Sequence, residues 1–435
     1  MQTNTSRFSA PQWLAYIEAL HPKSIAMGLE RVSEVAHRLD LNPSFPIVTV
    51  AGTNGKGSTC AMLSAIYIEA GYQVGCYTSP HLIHYNERVR TGRLGVTQDI
   101  TDDDLCVAFA AVENARGEVP LTYFEMGTLA AMWHFCQLKL DIVILEVGLG
   151  GRLDAVNVFE PTCSIVTTID LDHMDYLGDT REKIALEKAG VFRPNKLAIC
   201  GDDNPPKSLL DYAAKIGAPL QLINRDFKVK KIASGWQYSD ESLTVDLPKL
   251  VMNGDFQLNN AACAMRAVHY MREILPASQA SIHAAFQAVQ LTGRFHQIKT
   301  NPIIIVDVAH NPHAAQSLAH NLAHTSCTGN TLAVFAMLAD KDIEGVVQAV
   351  LPQIHSWYVA DINSARGAKA SNLVDILLKY KQKTDIHSYP DVASALAAVC
   401  KVTRKNDRIA VFGSFYTVAD AIAAVAHDDS FSIIN

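Results

Sequence analysis

Residues 47–58 read Ile-Val-Thr-Val-Ala-Gly-Thr-Asn-Gly-Lys-Gly-Ser, an apolar run that enters a glycine-rich turn, and Thr59-Cys60-Ala61-Met62-Leu63-Ser64-Ala65-Ile66 behind it has a helical pattern. A buried strand, a tight loop and a helix in this order restrict the chain to an α/β arrangement. The three glycines permit tight turns and leave backbone N–H groups free to converge on phosphate oxygens. Lys56 supplies a positive charge able to reach a terminal phosphate. Ser58 offers a hydroxyl to a magnesium ion, and the helix points its positive end at the anion. The strict form of such a loop is glycine, four residues, then Gly-Lys-Ser/Thr. Here Val50 stands where the first glycine would be and Gly57 separates Lys56 from Ser58. A glycine-rich turn without a ligand is the plain alternative; the flanking strand and helix favour use of a nucleoside triphosphate.

The loop occupies a small part of a 435-residue chain, which is too long for one ordinary core and predicts two domains or more. A net charge of −7 argues against nonspecific binding along nucleic acid. No apolar run approaches membrane-spanning length, since Asp141–Gly151 is interrupted by Glu146 and by glycines. The N-terminus lacks a basic segment followed by an apolar core, so no secretory signal is expected. Nine scattered cysteines, none in a Cys-x-x-Cys pair, fit a reducing cytoplasm rather than a disulfide framework or zinc site.

Along the chain, the first 45 residues read as helical with a break at His21-Pro22. Strands are expected at Ile47–Val50, Val74–Thr78, Ile142–Val147, Ser164–Ile169 and Leu197–Cys200, several apolar throughout as buried parallel strands are. Between Phe227 and Val251 the pattern changes to short β-like pieces, a small antiparallel insert. Leu258–Ile274 and Ala280–Val289 are helical in pattern. A second alternation follows, with strands at Ile303–Val308, Leu332–Phe335, Trp357–Ala360, Asp385–Ser388 and Ile409–Phe412 and helices such as His313–Ala323 and Val392–Val402. The expected fold is α/β: an N-terminal P-loop ATPase-like domain with a mostly parallel sheet and the insert, over residues 1–293, then a smaller doubly wound Rossmann-like domain over residues 294–435.

Other constellations carry chemistry. Glu146 ends the third expected strand and opens Glu146-Val147-Gly148-Leu149-Gly150-Gly151-Arg152-Leu153-Asp154. A carboxylate at the carboxyl end of a parallel strand sits where open α/β sheets bind ligands, and it suits magnesium. Gly148-Leu149-Gly150 begins a dinucleotide fingerprint that fails at Leu153. An exposed strand end is the alternative. His173, in Asp170-Leu171-Asp172-His173, could join Ser79 and Glu146 around a metal, although magnesium prefers oxygen and a structural histidine fits the spacing equally. Lys188 follows a helical stretch, where a lysine is ordinarily a solvated charge. Asp307, His310 and His313 have a spacing compatible with a transition metal. Asn311 and Pro312 also suit a helix start, and a third possibility has Arg294 and Asp307 binding nucleotide across a cleft.

Together, Ala51–Ser58, Tyr77–Leu82, Leu121–Glu125, Leu145–Asp154, Leu171–His173, Glu187–Phe192, Gly293–Phe295, Asp307–Pro312 and Gly413–Phe415 resemble the folylpolyglutamate synthases, relatives of the Mur ligases of cell-wall synthesis. The pieces occur in the family's order over nearly the whole chain, and the likeness is to its bacterial bifunctional members with dihydrofolate synthase activity. This resemblance implies ATP contacts at Thr53, Asn54, Gly55, Lys56, Gly57, Ser58, Asn260, Arg294 and Asp307. It implies magnesium ligands at Ser79, Glu146 and His173, with two ions in all. Pterin contacts are implied at Ile25, Ala26 and Met27, at Thr122, Tyr123, Phe124 and Glu125, and at Leu153, Asp154 and Ala155. The lysine matching Lys188 is carbamylated in the family, and His310 and Ser414 fall in motifs on the glutamate side. Lys56, Lys188 and His310 are the implied catalytic set.

The implied partners are ATP, L-glutamate, dihydropteroate and reduced folates, with no nucleic acid or membrane, in a monomeric cytoplasmic ligase. A Mur-type ligase acting on a UDP-linked muramoyl acceptor and a P-loop binding protein without ligase chemistry are the alternatives.

Overall fold

A computed structural model describes residues 8–22 and 25–427. The expected helical character of residues 1–7 and 23–24 lies outside them. The chain forms two compact units, Met1–Val251 with Asp255–Val289, and Met252–Gly254 with Gln290–Asn435.

The strands of the first unit's main sheet are β1 (Ile47–Ala51), β2 (Val74–Tyr77), β3 (Val89–Arg93), β4 (Val96–Asp99), β5 (Ile142–Glu146), β6 (Cys163–Val166), β7 (Leu197–Cys200) and β8 (Leu220–Leu222), in the order β4-β3-β2-β5-β1-β6-β7-β8. The six strands from β2 to β8 in that order are mutually parallel, and β3 and β4 extend the sheet antiparallel. Every residue of β1 and β5 is buried, which is what an apolar strand covered on both faces requires. Registers Val50↔Glu146 and Ala51↔Val166 align the carboxyl ends of β5, β1 and β6 at one edge, and Tyr77↔Leu145 brings β2 to the same edge.

The strands stop earlier than the apolar runs suggested. Thr78, Val147 and Thr167–Ile169 lie beyond β2, β5 and β6, and threonine side chains after β6 serve the connecting loops. Thr167 Oγ1, for example, donates to Asn54 O at 2.6 Å.

The expected insert is a three-stranded antiparallel sheet of β9 (Phe227–Ile232), β10 (Gly235–Asp240) and β11 (Thr244–Pro248). Trp236 and Tyr238 alternate inward along β10, and Trp236 meets Phe286 edge-to-face at 5.4 Å. Burying a side chain of this size is worth about 2–3 kcal/mol. The helix Phe256–Tyr270 connects this region back to the glycine loop.

In the second unit, β12 (His296–Thr300), β13 (Ile303–Asp307), β14 (Thr331–Phe335), β15 (Ser356–Ala360), β16 (Ile386–Tyr389) and β17 (Arg408–Phe412) form a sheet in the order β12-β13-β17-β14-β15-β16. All pairs are parallel except β12 with β13. Phe335, Trp357 and Phe412 pack ring against ring at its centre, with centroids 5.1–6.1 Å apart. Register Asp307↔Phe412 puts Asp307 beside the residue that leads into Gly413-Ser414. Among the described residues no helix is long and apolar enough to cross a membrane.

Candidate active site

Gly52 and Gly55 explain the shape of the glycine loop. Gly52 has φ +147°, and a Cβ there would lie 1.9 Å from Thr167 Oγ1; Gly55 has φ +86°, and a Cβ there would lie 2.4 Å from Asn260 Oδ1. Only glycine fits both the backbone conformation and the close approach. The loop is stitched to the segment after β6: Thr53 N donates to Thr168 O at 2.7 Å, Asn54 N donates to Thr168 Oγ1 at 3.1 Å, and Asp170 N donates to Thr53 Oγ1 at 3.0 Å. This anchoring holds the loop before any ligand arrives. Lys56 starts the helix Lys56–Glu69, and its Nζ donates to Gly52 O at 3.0 Å and Thr53 O at 3.3 Å. The ammonium therefore lies over the loop that its own helix opens.

Beside β1, Glu146 is buried at the end of β5 and its Oε2 accepts from Ser79 N at 3.0 Å; it is not an exposed strand end. His173 sits at positive φ (51°) before the short helix Met174–Leu177, beyond β6, with Nε2 3.8 Å from Asp172 Oδ2. Carboxylate and hydroxyl oxygens are the donors that a hard divalent ion selects, so this part of the set fits one. The transition-metal reading of Asp307, His310 and His313 does not hold. Among the described residues no group of three or more His, Cys, Asp or Glu side chains is arranged to hold a metal, because Asp307 is engaged by backbone N–H groups and His310 Nδ1 donates to Val308 O at 2.8 Å.

Lys188 is not a solvated charge. It ends the helix Arg181–Ala189, is 4% exposed, and is held at about 7 by burial and by the positive Lys56, with Asp172 and Asp154 partly opposing. Asp154 is the converse. Burial raises its carboxyl to about 7 against the pull of the Leu149, Val156 and Gly148 N–H groups and of Lys56. Two groups of opposite kind are thus buried within the electrostatic reach of Lys56.

The three segments assigned to the pterin converge on the loop after β5. Phe124 fills the space beside Gly148, where a Cβ would meet its ring at 2.6 Å, and its ring lies 6.0 Å from that of Tyr77. Met27 Cε is 3.9 Å from the Cβ position of Gly150. Thr122 and Glu125 cap the helix Tyr123–Gln137 reciprocally, Glu125 N donating to Thr122 Oγ1 at 3.2 Å and Thr122 N to Glu125 Oε2 at 2.7 Å, an arrangement worth about 1 kcal/mol.

Two residues that sequence inspection passes over complete this region. Arg31 Nη2 donates to Ala26 O and to Glu125 Oε1, both at 2.8 Å. Arg88 lies over the rings of Tyr85 and Tyr123 at 5.1 and 5.6 Å. No local motif marks either arginine, since Glu125 and Tyr123 are remote from them in sequence. Arg31 ties Ala26 to the buried Glu125, so Arg31→Ala is expected to weaken acceptor binding about tenfold or more. The loss of a charge-assisted bond to a buried carboxylate underlies that figure. A KM for acceptor that is unchanged, at unchanged KM for nucleotide, would refute it.

The second unit gathers Arg294, Asp307, His310 and Ser414 near the carboxyl ends of β13 and β17. Burial raises the Asp307 carboxyl, opposed by Arg294 and by the N–H groups of Phe295 and Ala309. Phe415 stands between Arg294, whose guanidinium is 5.7 Å from its ring, and His310, 6.2 Å away ring to ring. Thr417, also unmarked in the sequence, donates through Oγ1 to Ala336 O at 2.7 Å. Ser414 must therefore donate to Thr417 Oγ1, at 2.7 Å, while accepting from Thr417 N at 3.0 Å.

Comparison with known proteins adds to this geometry. The chain matches the Mur ligase middle domain over residues 50–268 and the Mur ligase glutamate ligase domain over residues 293–415. It is 40% identical to a dihydrofolate synthase/folylpolyglutamate synthase of Haemophilus influenzae over 434 residues, covering 95% of this chain and 97% of that one. The E. coli FolC structure in complex with DHPP and ADP superposes with a TM-score of 0.91 at 41% identity, over 98% of this chain and 99% of the other. A bifunctional folylpolyglutamate synthase/dihydrofolate synthase crystallised with Mn, AMPPNP and L-glutamate gives 0.90 at 43% identity, over 98% and 100%.

Proposed function

The chain belongs to the dihydrofolate synthase/folylpolyglutamate synthase family of Mur ligases, and on that premise we propose that it joins L-glutamate to dihydropteroate and to the glutamate tail of reduced folates at the expense of ATP. One observation carries this reading. The loop Glu146–Asp154 meets the metal-side pair Ser79–Glu146 at one end and the pterin segments along its length, and Asp154 senses Lys56 of the glycine loop. A carboxylate of the acceptor and the γ-phosphate of a nucleotide would thus share one edge of the sheet, where α/β proteins bind ligands.

The chemistry follows from the groups. An oxygen of the acceptor carboxylate attacks the γ-phosphorus, an O–P bond forms, and ADP leaves. Lys56 opposes the charge that grows on the transferring phosphoryl group. The glutamate amine then attacks the carbonyl carbon of the acyl phosphate, loses a proton, and phosphate departs with the C–O bond. The nucleotide contacts are Thr53, Asn54, Gly55, Lys56, Gly57, Ser58, Asn260, Arg294 and Asp307; His310 and Ser414 serve glutamate. Ile25–Met27, Thr122–Glu125 and Leu153–Ala155 bind the pterin. Ser79, Glu146 and His173 would hold a divalent ion, in this reading magnesium, which when bound neutralises phosphate charge. A carbamate on Lys188 is the proposed oxygen ligand of a second. The enzyme acts as a monomer. Binding of manganese and nucleotide by a relative of this similarity supports the ion and ATP assignments.

A paired-acceptor assay tests the reading. Purified protein with ATP, glutamate and either dihydropteroate or tetrahydrofolate is expected to release ADP only when acceptor and glutamate are both present. Turnover with a UDP-linked muramoyl acceptor and none with either pterin would replace it with the Mur-type alternative. Nucleotide binding without glutamate-dependent turnover would leave a P-loop binding protein.

A further inference from the structure

Gln257 stands in the second position of the helix Phe256–Tyr270 and has no solvent exposure. Its Nε2 donates to Ser58 Oγ at 3.2 Å, and its Oε1 accepts from Asn260 Nδ2 at 2.9 Å. Asn260 in turn packs its side-chain oxygen against Gly55, the residue that turns the loop into its helix. One buried amide thus spans the two elements that the proposed nucleotide site draws on, and it touches a serine on one and an asparagine on the other.

The two contacts fix the orientation of that amide. Its oxygen accepts from the Asn260 N–H and its nitrogen faces Ser58, and an N–H can only donate. A serine hydroxyl has one proton and two lone pairs. With one lone pair held by Gln257, the hydroxyl proton is kept off that direction, and the proton and the second lone pair are confined to the two remaining staggered positions before ligand arrives. Ser58 is itself 2% exposed, so bulk water does not compete to reorient it. Preorganisation of this kind matters most where a donor atom must meet an ion with a demanding geometry, as magnesium does.

We propose that Gln257 is a positioning residue that aims the Ser58 hydroxyl at the nucleotide-bound divalent ion. The proposal rests on the nucleotide reading of the glycine loop given above. Gln257 touches neither reactant in this assignment; it acts through Ser58.

A double-substitution cycle read by calorimetry, without turnover, tests it. Binding of AMPPNP is measured with excess Mn²⁺ and again in EDTA. Gln257→Met, which keeps length and removes both amide contacts, is expected to weaken Mn·AMPPNP binding about tenfold, the worth of a buried hydrogen bond, and to change metal-free AMPPNP binding less than about twofold. Ser58→Ala is expected to do the same, and Gln257→Met in the Ser58→Ala background to add nothing further. Should the methionine variant fail to fold, Gln257→Leu, which removes both amide contacts without adding charge, enters the same cycle with the same expectation. Losses that add across the cycle, or equal losses with and without the ion, overturn the positioning role. A Ser58→Ala protein that binds Mn·AMPPNP as the parent does overturns the ion-facing role of Ser58 itself, whereas a weakened Ser58→Ala beside an unaffected Gln257→Met overturns the role of Gln257 alone.

Discussion

Lys56→Ala is expected to lower kcat by about a thousandfold or more while the protein stays folded. The magnitude is that of removing one preorganised charge from a developing phosphoryl transition state. The stability cost is small for identifiable reasons. The side chain is only part-buried, and its two bonds go to the carbonyls of Gly52 and Thr53 in its own loop, so their loss is worth about 1 kcal/mol. The loop is anchored independently through Thr53, Asn54, Thr167 and Thr168. A melting curve within a few degrees of the parent, with kcat collapsed, is the expected pair of results. Near-parent kcat would remove Lys56 from the phosphate role.

Lys188 offers the second large effect. An ordinary lysine near 10.5 presents about one neutral amine in three thousand at pH 7. Lys188, held at about 7, is about half neutral there. Only the neutral amine attacks carbon dioxide, forming an N–C bond and releasing a proton, so burial prepares this side chain for carbamylation. Lys188→Ala is expected to lose about a hundredfold or more in kcat, the scale of removing one charged group that acts on the transition state. A small carboxylic acid such as acetate is expected to restore part of it. Carbamate on the parent protein, read by 13C NMR with labelled bicarbonate, is expected to be greater at pH 8 than at pH 6. Absence of the carbamate at pH 8 with bicarbonate present would refute the modification.

The same depressed value has a stability consequence with a definite sign. The folded state binds the Lys188 proton less tightly than the unfolded chain. Its contribution is therefore fully present above about 10.5 and is lost as pH falls towards 7. Lys188→Met lacks this penalty, so its stability relative to the parent is expected to improve as pH falls from 10.5 to 7 and to level off below. Denaturant midpoints across that range, in carbon-dioxide-free buffer that leaves the amine unmodified, would show it.

How much of this was legible in the chain depends on what each residue's role requires. The strands β1 and β5 announce themselves because full burial demands unbroken apolar runs, and the glycine loop does so because φ +147° and +86° demand glycine. The strands β3, β4 and β12 do not, because at or next to a sheet edge Val-Arg-Thr-Gly-Arg, Val-Thr-Gln-Asp and His-Gln-Ile-Lys-Thr leave mixed or exposed faces with no apolar signal. Lys188 reads as a surface charge, since its neighbours in sequence say nothing of the Lys56, Asp154 and Asp172 that surround it in space. Arg31 and Gln257 are ordinary polar residues whose partners Glu125 and Ser58 are 94 and 199 positions away. Family motifs mark groups that meet ligand; groups that hold those groups in place become visible only once the chain is folded.

The central claim is that the glycine loop serves to make an acyl phosphate on the acceptor carboxylate. Oxygen-isotope transfer tests it most directly. Dihydropteroate carrying 18O in both carboxylate oxygens is turned over with unlabelled ATP and glutamate in unlabelled water, and the phosphate released is analysed by mass. Attack of that carboxylate on the γ-phosphorus followed by amine attack at carbon must leave one 18O in each phosphate formed. Phosphate with one 18O per turnover is the predicted result, and unlabelled phosphate formed alongside the amide product would contradict the mechanism.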